Sequence, residues 1–280
     1  MQNIEAVIKP SGKLLINNEQ HNYLDDLAQE IAFYTKKTGI PLPVVLGGGK
    51  GYNEICKKYH TPMINGLRLT PNELINEFVE KAKENQQEVY AALKKYGVDA
   101  EIMDMGILKA MPYGVVTNND TNQEVDMCST GFVATISIKP IIKALENGKI
   151  PLISNMGVDE DGKMYNVNAA PVAGELAFLL KAKKLILLGD TAVYDANKKV
   201  IPLITSQDYI EKQIQDKVFT EGICVNIDTI TAVQQRFHEH NMRVNYQGHI
   251  TTLKYDNQKH IVDGLYNEII GNSHGTILRM

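Results

Sequence analysis

Three consecutive glycines, Gly47, Gly48 and Gly49, follow the short apolar run Val44–Leu46 and precede a segment with helical character. Glycines let backbone amides approach an anion without obstruction by a Cβ atom, and the first turn of a helix adds partial positive charge. The arrangement favours binding of a phosphate or a carboxylate, although a tight strand-to-helix turn would explain the glycines equally well. The Walker pattern is absent, because Lys50 is followed by glycine rather than by serine or threonine.

Two basic residues stand at positions where a cation could act on a ligand. Lys9 ends the predicted first strand, and Gly12 follows shortly after it. An ammonium group at the carboxyl end of a central strand could neutralise charge on a phosphoryl group during its transfer. Arg68 precedes a predicted helix, and its guanidinium could hold a carboxylate through two parallel hydrogen bonds. A solvated surface lysine and a surface ion pair are the alternative interpretations.

The stretch 150–196 reads as a buried strand, a polar loop, a helix and a second buried strand. The apolar runs 150–153 and 185–188 are typical of a parallel sheet that is covered on both faces. Asn166 lies in the loop between them, and Asp190 follows the second run. Because ligands of open α/β sheets gather at the carboxyl ends of strands, we expect these loops to carry function. Capping of a turn is the alternative role for Asp190.

The elements that would position these residues alternate between strand and helix along most of the chain. A helix is predicted from about Tyr23 to Lys37, and a second helix start is marked by Thr70 as cap with Glu73 three residues later, as in a capping box. A turn cluster at residues 117–120 separates two extended arms. Repeated strand–helix alternation predicts an α/β fold with a mostly parallel, doubly wound sheet.

The composition is that of a water-soluble globular protein. The chain has 280 residues, 44% hydrophobic and 22% charged, and a net charge of -4, which gives no reason to expect nucleic acid or a membrane as partner. With neither a leader segment nor a long apolar run, we expect a cytoplasmic location. No histidine or cysteine spacing suggests a metal site. The three cysteines lie far apart, at Cys56, Cys128 and Cys224.

Taken together, these features resemble the acetylglutamate kinases of the amino acid kinase family. The similarity extends from residue 5 to about residue 235, and segment 275–278 is similar to the family's last strand. The matching segments are Val7-Ile8-Lys9, Val45-Leu46-Gly47-Gly48-Gly49, Gly66-Leu67-Arg68-Leu69-Thr70, Gly131-Phe132-Val133, Asp161-Gly162-Lys163-Met164-Tyr165-Asn166-Val167-Asn168 and Leu187-Leu188-Gly189-Asp190. Each segment is modest by itself, and their common order and spacing carry the resemblance.

The resemblance implies a single domain, an open three-layer αβα sandwich with a mostly parallel central sheet. An N-terminal lobe of about residues 1–180 would bind an acylated amino acid and form a homodimer. A C-terminal lobe of about residues 181–280 would bind ATP, with Mg²⁺ expected beside it. The implied activity is phosphorylation of the side-chain carboxylate of N-acetyl-L-glutamate or a related acylated amino acid, as in arginine biosynthesis.

The same resemblance assigns roles to particular residues. Catalytic contacts with the transferring phosphoryl group are implied for Lys9, Gly12 and Gly48. Substrate contacts are implied for Gly47, Gly48, Arg68 and Asn166, with Arg68 on the α-carboxylate. Asp190 would belong to the nucleotide loop.

The chain departs from the family pattern at its electrostatic positions. Ala170 replaces the aspartate that organises the catalytic lysines, and Asn226 replaces the second of those lysines. Leu46 stands where the family usually has histidine. Two hypotheses follow: a divergent kinase that recruits another lysine, such as Lys217, or an amino-acid- or nucleotide-binding regulatory homologue with impaired catalysis.

Overall fold

A computed structural model describes residues 4–17, 22–189, 192–219, 221–256 and 259–279. The α-helices of these ranges are α1 (Tyr23–Thr38), α2 (Gly49–Tyr59), α3 (Ile75–Lys95), α4 (Ile138–Glu146), α5 (Ala169–Leu179), α6 (Gln207–Gln215), α7 (Glu221–Glu239) and α8 (Gly264–Ile270). Short 3₁₀ helices span Gly12–Leu15, Asn72–Leu74 and Met105–Ile107.

The strands follow the same alternation. The first nine are β1 (Ala6–Pro10), β2 (Val44–Leu46), β3 (Met63–Ile64), β4 (Leu67–Arg68), β5 (Ala100–Ile102), β6 (Leu108–Pro112), β7 (Val115–Thr117), β8 (Glu124–Asp126) and β9 (Thr130–Ile136). The remaining ones are β10 (Ile150–Ser154), β11 (Met156–Val158), β12 (Met164–Val167), β13 (Lys184–Gly189), β14 (Leu203–Ile204), β15 (Gln247–Thr252), β16 (Tyr255–Asp256), β17 (Lys259–His260) and β18 (Thr276–Leu278).

Eight strands form one central sheet in the order β14-β18-β15-β13-β1-β2-β10-β5. The six strands from β15 to β5 are parallel to one another, whereas β18 is antiparallel to β15 and carries β14 at the edge. The predicted mostly parallel sheet is therefore confirmed. Its central strands are continuous apolar runs because both of their faces are buried.

Helices cover both faces of this sheet. On one face, Val7 of β1 packs in a core with residues of α4, α5 and α7. On the other face, Ala6 and Ile8 of the same strand pack in a second core with residues of α1, α3 and α8. Successive side chains of β1 thus pack alternately in two separate cores, and the three-layer αβα architecture is confirmed.

A smaller sheet stands beyond the carboxyl end of β10. Strands β6, β9, β11 and β12 pair in a closed ring, and β12 leads directly into α5. Strands β7 and β8 form an antiparallel hairpin, so the predicted turn at residues 117–120 does separate two extended arms.

The predicted capping box at Thr70 is wrong. The segment Asn72–Leu74 is a 3₁₀ helix, and α3 begins only at Ile75, without a side-chain cap. The Thr70 hydroxyl donates to the backbone oxygen of Arg68 at 3.3 Å and accepts from Asn166 at 2.9 Å. Because these partners occupy the hydroxyl, it is not available to cap a helix.

Across the described ranges, none of the helices has the length and apolar character needed to cross a membrane.

Candidate active site

A cavity of about 600 Å³ opens at the carboxyl ends of β1, β2 and β10, three neighbouring parallel strands. This is where ligands of open α/β sheets bind. Six of the residues that the sequence singles out line this one cavity: Lys9, Gly12, Gly47, Gly48, Arg68 and Asn166. The fold thus brings together residues that lie more than a hundred positions apart in the chain.

The loops after β1 and β2 touch through two glycines. An added Cβ on Gly12 would lie 2.2 Å from the Cα of Gly49, so no larger residue fits at position 12 without movement of the backbone. Gly49 has φ +57 and begins α2, and no described side chain caps the amino end of this helix. The backbone amides of this end are therefore available to an anion in the cavity.

A buried amide on α3 supports the glycine loop from behind. Asn85 donates from Nδ2 to the backbone oxygen of Gly47 at 3.1 Å, and its side chain is buried. This bond satisfies the carbonyl of Gly47, and Asn85 itself does not line the cavity. It holds the loop between β2 and α2 in place.

Lys9 supplies a cation without a counter-ion among the described residues. Its side chain is half-buried, and burial lowers the pKa of the ammonium group to about 8. No hydrogen bond or salt bridge joins Lys9 to any residue in the described part of the chain. Charged groups that are withdrawn from water require a partner, and an anionic ligand would provide one.

The described residues that line the cavity carry positive charge only. Lys9, Lys13, Lys50 and Arg68 line it, and no aspartate or glutamate does. Lys50 approaches Glu54 at 3.7 Å, but that carboxylate lies outside the cavity wall. The cavity is therefore suited to anionic groups.

The guanidinium of Arg68 contacts other side chains through one edge and one face, so its Nε–H donor is left for a ligand. Its Nη2 donates to Oδ1 of Asn53 at 2.5 Å, and its guanidinium carbon lies 5.6 Å from the centroid of the Tyr52 ring. The Nε atom is buried and has no hydrogen-bond partner in the described part of the chain. A carboxylate bound at this edge would satisfy it.

Asn166 is fixed by two other polar side chains. Its Nδ2 donates to Thr70 Oγ1 at 2.9 Å, and its Oδ1 accepts from Asn155 Nδ2 at 2.9 Å. Asn155 also lines the cavity. Sequence reasoning missed Asn155, Tyr52 and Thr70 as parts of the site, because nothing in the residues next to them along the chain reveals their partners.

The positions that depart from the family pattern lie away from the cavity wall. Ala170 is buried in the first turn of α5, where its backbone amide donates to the capping Asn168, and Asn226 is half-buried on α7. Leu46 is buried on β2, and Lys217 is exposed between α6 and α7. None of these four residues lines the cavity among the residues described. Asp190 lies outside the described residues.

Solved structures share this fold. The chain superposes on an N-acetylglutamate synthase from Neisseria gonorrhoeae, complexed with coenzyme A and N-acetyl-glutamate, with a TM-score of 0.77 and 19% identity. The match covers 98% of this chain and 59% of that protein, so this chain spans less than two thirds of its length. A carbamate kinase from Giardia lamblia bound to AMP-PNP matches with a TM-score of 0.66 and 13% identity, over 98% of this chain and 97% of the other.

Sequence relatives are closer. An acetylglutamate kinase of Polaromonas naphthalenivorans is 31% identical, over 99% of this chain and 90% of the relative. An acetylglutamate kinase of Geobacter metallireducens is 33% identical, over 80% of this chain and 81% of the relative. The signature of the Amino acid kinase family matches residues 5–244. This chain therefore belongs to the amino acid kinase family.

Proposed function

We propose that this chain is an ATP-dependent phosphotransferase that acts on the side-chain carboxylate of N-acetyl-L-glutamate or a related acylated amino acid, as in arginine biosynthesis. The observation that carries the proposal is the gathering of unsatisfied donors in one cavity. The unpaired Nε of Arg68, the ammonium of Lys9 and the glycine-loop amides all line it, and no described carboxylate does. The acetylglutamate kinases among the relatives support the same substrate class.

In this proposal Arg68 binds the α-carboxylate of the amino acid, and Asn166 contacts another polar group of it. The side-chain carboxylate oxygen attacks the γ-phosphorus of ATP, and the bond to the bridging oxygen breaks. The products are an acyl phosphate and ADP. Lys9 and the amides of Gly12 and Gly48 neutralise charge on the transferring phosphoryl oxygens, which is the main contribution a protein makes to such a step.

The nucleotide is proposed to bind through the C-terminal lobe, with Asp190 in its loop. Mg²⁺, when bound, would neutralise charge on the nucleotide phosphates. The described cavity residues offer it no carboxylate, so phosphate oxygens would be its ligands. In the described part of the chain no cluster of histidine, cysteine, aspartate or glutamate could hold a metal ion by itself.

Ala170 and Asn226 make slow turnover the expected behaviour. Removal of one preorganised electrostatic donor commonly lowers a rate by about 10²–10³. The organising aspartate and its lysine act as a unit, so the two losses do not multiply independently. The residues proposed to bind substrate are retained, whereas Ala170 and Asn226 are uncharged where the family has an aspartate and a lysine. This asymmetry favours a binding or regulatory homologue as the second candidate function.

A coupled ADP-release assay with a panel of acylated amino acids, run beside calorimetric titration of the same compounds, tests the proposal. We expect N-acetyl-L-glutamate to bind and to support slow ADP release, and free L-glutamate to do neither. Binding without ADP release would favour the second candidate. Absence of both binding and ADP release would contradict the kinase and any homologue that binds an acylated amino acid.

A further inference from the structure

The side chain of Asn155 is oriented by a backbone carbonyl. Its Nδ2 donates to the backbone oxygen of Val167 at 2.8 Å and to Oδ1 of Asn166 at 2.9 Å. A carbonyl oxygen only accepts hydrogen bonds, so the amide of Asn155 must turn its nitrogen toward Val167. The same nitrogen then faces Asn166, which must present its oxygen in return.

The other end of this chain of hydrogen bonds also stops at a carbonyl. Asn166 donates from Nδ2 to Thr70 Oγ1 at 2.9 Å, and the Thr70 hydroxyl donates to the backbone oxygen of Arg68 at 3.3 Å. The Thr130 hydroxyl donates to that same oxygen at 2.8 Å. Because the hydrogen of Thr70 is directed to Arg68, its oxygen is left to accept from Asn166. The carbonyl of Val167 therefore requires this orientation of Asn166, and the contact between Thr70 and Arg68 agrees with it.

Tyr52 completes the network behind Asn155. Its hydroxyl lies 3.3 Å from Oδ1 of Asn155 and 3.0 Å from the sulfur of Met156. Burial raises the pKa of Tyr52, so the phenol stays protonated and can donate. Asn155 and Asn166 are both buried, with exposed fractions of 4% and 5%, so most of their hydrogen-bond partners are protein groups that hold the amides in place.

We propose that Asn155 is a positioning residue, which fixes the amide of Asn166 so that its remaining N–H is offered to the cavity. The group recognised beside Asn166 is then a hydrogen-bond acceptor, such as a carboxylate oxygen or the carbonyl oxygen of an acyl group. With the opposite orientation Asn166 would present an oxygen and repel such a group. The nature of the ligand rests on the proposed function, whereas the orientation of Asn166 does not.

A double-mutant cycle tests whether Asn155 acts through Asn166. The dissociation constant of N-acetyl-L-glutamate is measured by calorimetry for the unmodified protein, Asn155→Leu, Asn166→Ala and the double variant. We expect Asn155→Leu to weaken binding about tenfold, near the upper end of the effect of losing one hydrogen bond between neutral groups. In the Asn166→Ala background the same change should add nothing, since its target is gone. Two effects that multiply fully would overturn the proposal.

A matched control separates positioning from general loss of structure. Gln86 is another buried amide that donates to backbone carbonyls, those of Met103 at 3.3 Å and Leu152 at 3.0 Å, and it does not line the cavity. Gln86→Leu should lower the melting temperature and leave the dissociation constant unchanged. If it weakened binding as much as Asn155→Leu, the positioning role would be refuted.

Hydrogen exchange of the side-chain amides, followed by NMR, reports how firmly the amide of Asn166 is held, and it needs no ligand. We expect exchange of the Asn166 amide protons to be at least about tenfold faster in Asn155→Leu than in the unmodified protein, because the Asn166 oxygen loses its donor and the amide is no longer held in one orientation. Unchanged exchange would overturn the proposal. If the protein binds no acylated amino acid yet exchange accelerates, the proposed substrate fails while the positioning of Asn166 by Asn155 stands.

Discussion

Arg68 has the clearest unused capacity of the residues in the cavity, since Asn53 holds one edge of its guanidinium and Tyr52 lies against its face. Its buried Nε has no hydrogen-bond partner among the residues that the structure describes. Arg68→Ala should weaken the binding of N-acetyl-L-glutamate by about 1.5–3 kcal/mol, the range for hydrogen bonds to charged groups. Calorimetric titration measures this, with Lys217→Ala as a control outside the cavity. Equal affinity of the unmodified protein and Arg68→Ala would remove Arg68 from the site.

Lys9 should make anion binding depend on pH. Burial lowers its pKa to about 8, so the ammonium is charged below that pH and loses its proton as the pH rises through it. Sulfate affinity should therefore be constant below about pH 7 and fall by up to about tenfold per pH unit above about pH 8. Sulfate is the suitable probe because its own charge does not change in this range.

Two variants of Lys9 test whether this residue causes the decline of sulfate affinity near pH 8. Lys9→Arg should retain sulfate binding without the decline near pH 8, because a guanidinium stays protonated. Lys9→Met should bind weakly at every pH. If the decline persisted unchanged in Lys9→Met, another group would be responsible for it.

Among single residues, the sequence could predict those that are placed by the strand or helix next to them. Lys9 and Gly12 follow a strand, and Arg68 precedes a helix, so general rules for α/β sheets place them together. Tyr52 and Asn155 could not be predicted, because they are partners across 103 positions of the chain. Their role depends on a network that exists only once β10, β12 and α2 are packed.

Among the elements, the contact between the two loops after β1 and β2 is the most constrained. A Cβ on Gly12 would lie 2.2 Å from the Cα of Gly49, and backbone must move to admit it. Gly12→Ala should lower the free energy of unfolding by about 1–3 kcal/mol, the range for overpacking, and should weaken sulfate binding. Urea unfolding and calorimetry measure these effects.

Gly47→Ala offers a comparison in the same loop. A Cβ there would meet only the Cβ of Ala169, at 3.3 Å, which is close but is not backbone. Its effect on unfolding should be smaller than that of Gly12→Ala. The reverse order would show that the two loops do not touch as the structure has them.

Predictions of elements succeeded where local patterns were not opposed by tertiary contacts. Helix α1 was predicted from about Tyr23 to Lys37 and extends over Tyr23–Thr38. Thr70 has the local pattern of a helix cap, but its hydroxyl serves Arg68 and Asn166 instead. A local rule cannot anticipate that a partner almost a hundred residues away competes for the same hydroxyl.

For the molecule as a whole, α8 is joined to the remaining fold by two buried carboxylates. Glu30 of α1 accepts from the backbone amide of Leu265 at 2.5 Å and from His260 at 2.8 Å. Glu268 of α8 accepts from Nδ1 of His249 on β15 at 2.7 Å. Buried polar residues interrupt the apolar pattern of this region, so hydrophobic periodicity indicates little about residues 241–275.

Glu268 should make the stability of the protein sensitive to acid. Burial raises its pKa, but hydrogen bonds from His249 and Ser273 outweigh this and lower the pKa from 4.5 to about 2. A lowered pKa of a carboxyl group gives stability that is present above pH 4.5 and is lost as the pH falls toward 2. Between about pH 5 and about pH 3 the unmodified protein should lose about 2 kcal/mol through this residue.

Glu268→Gln lacks this titrating group, so its unfolding free energy should change less over the same pH range. Chemical denaturation at several pH values measures the difference. Parallel pH profiles of the two proteins would show that Glu268 does not contribute in this way. Lys83→Ala, a change on the exposed face of α3, is a control that should leave the profile unchanged.

The division into two lobes and the homodimer are proposals about the whole molecule. The sheet is continuous across the proposed boundary near residue 180, since β13 pairs with β1. Leu74, just before α3, and Phe78 of α3 are buried in the core of the chain itself. A homodimer would therefore use other residues of α3, such as Ile75 and Val79, which are half-buried.

The central claim is tested most directly by the initial rate of ADP formation from ATP and N-acetyl-L-glutamate. This rate is compared between the unmodified protein and the double variant Ala170→Asp with Asn226→Lys. The claim is that this member of the amino acid kinase family retains its substrate site and has lost part of its transition-state electrostatics. We predict slow, saturable ADP formation by the unmodified protein, and in the double variant a kcat at least about tenfold higher with little change in KM. A double variant no faster than the unmodified protein, with neither forming ADP above the background without acceptor, would contradict the claim.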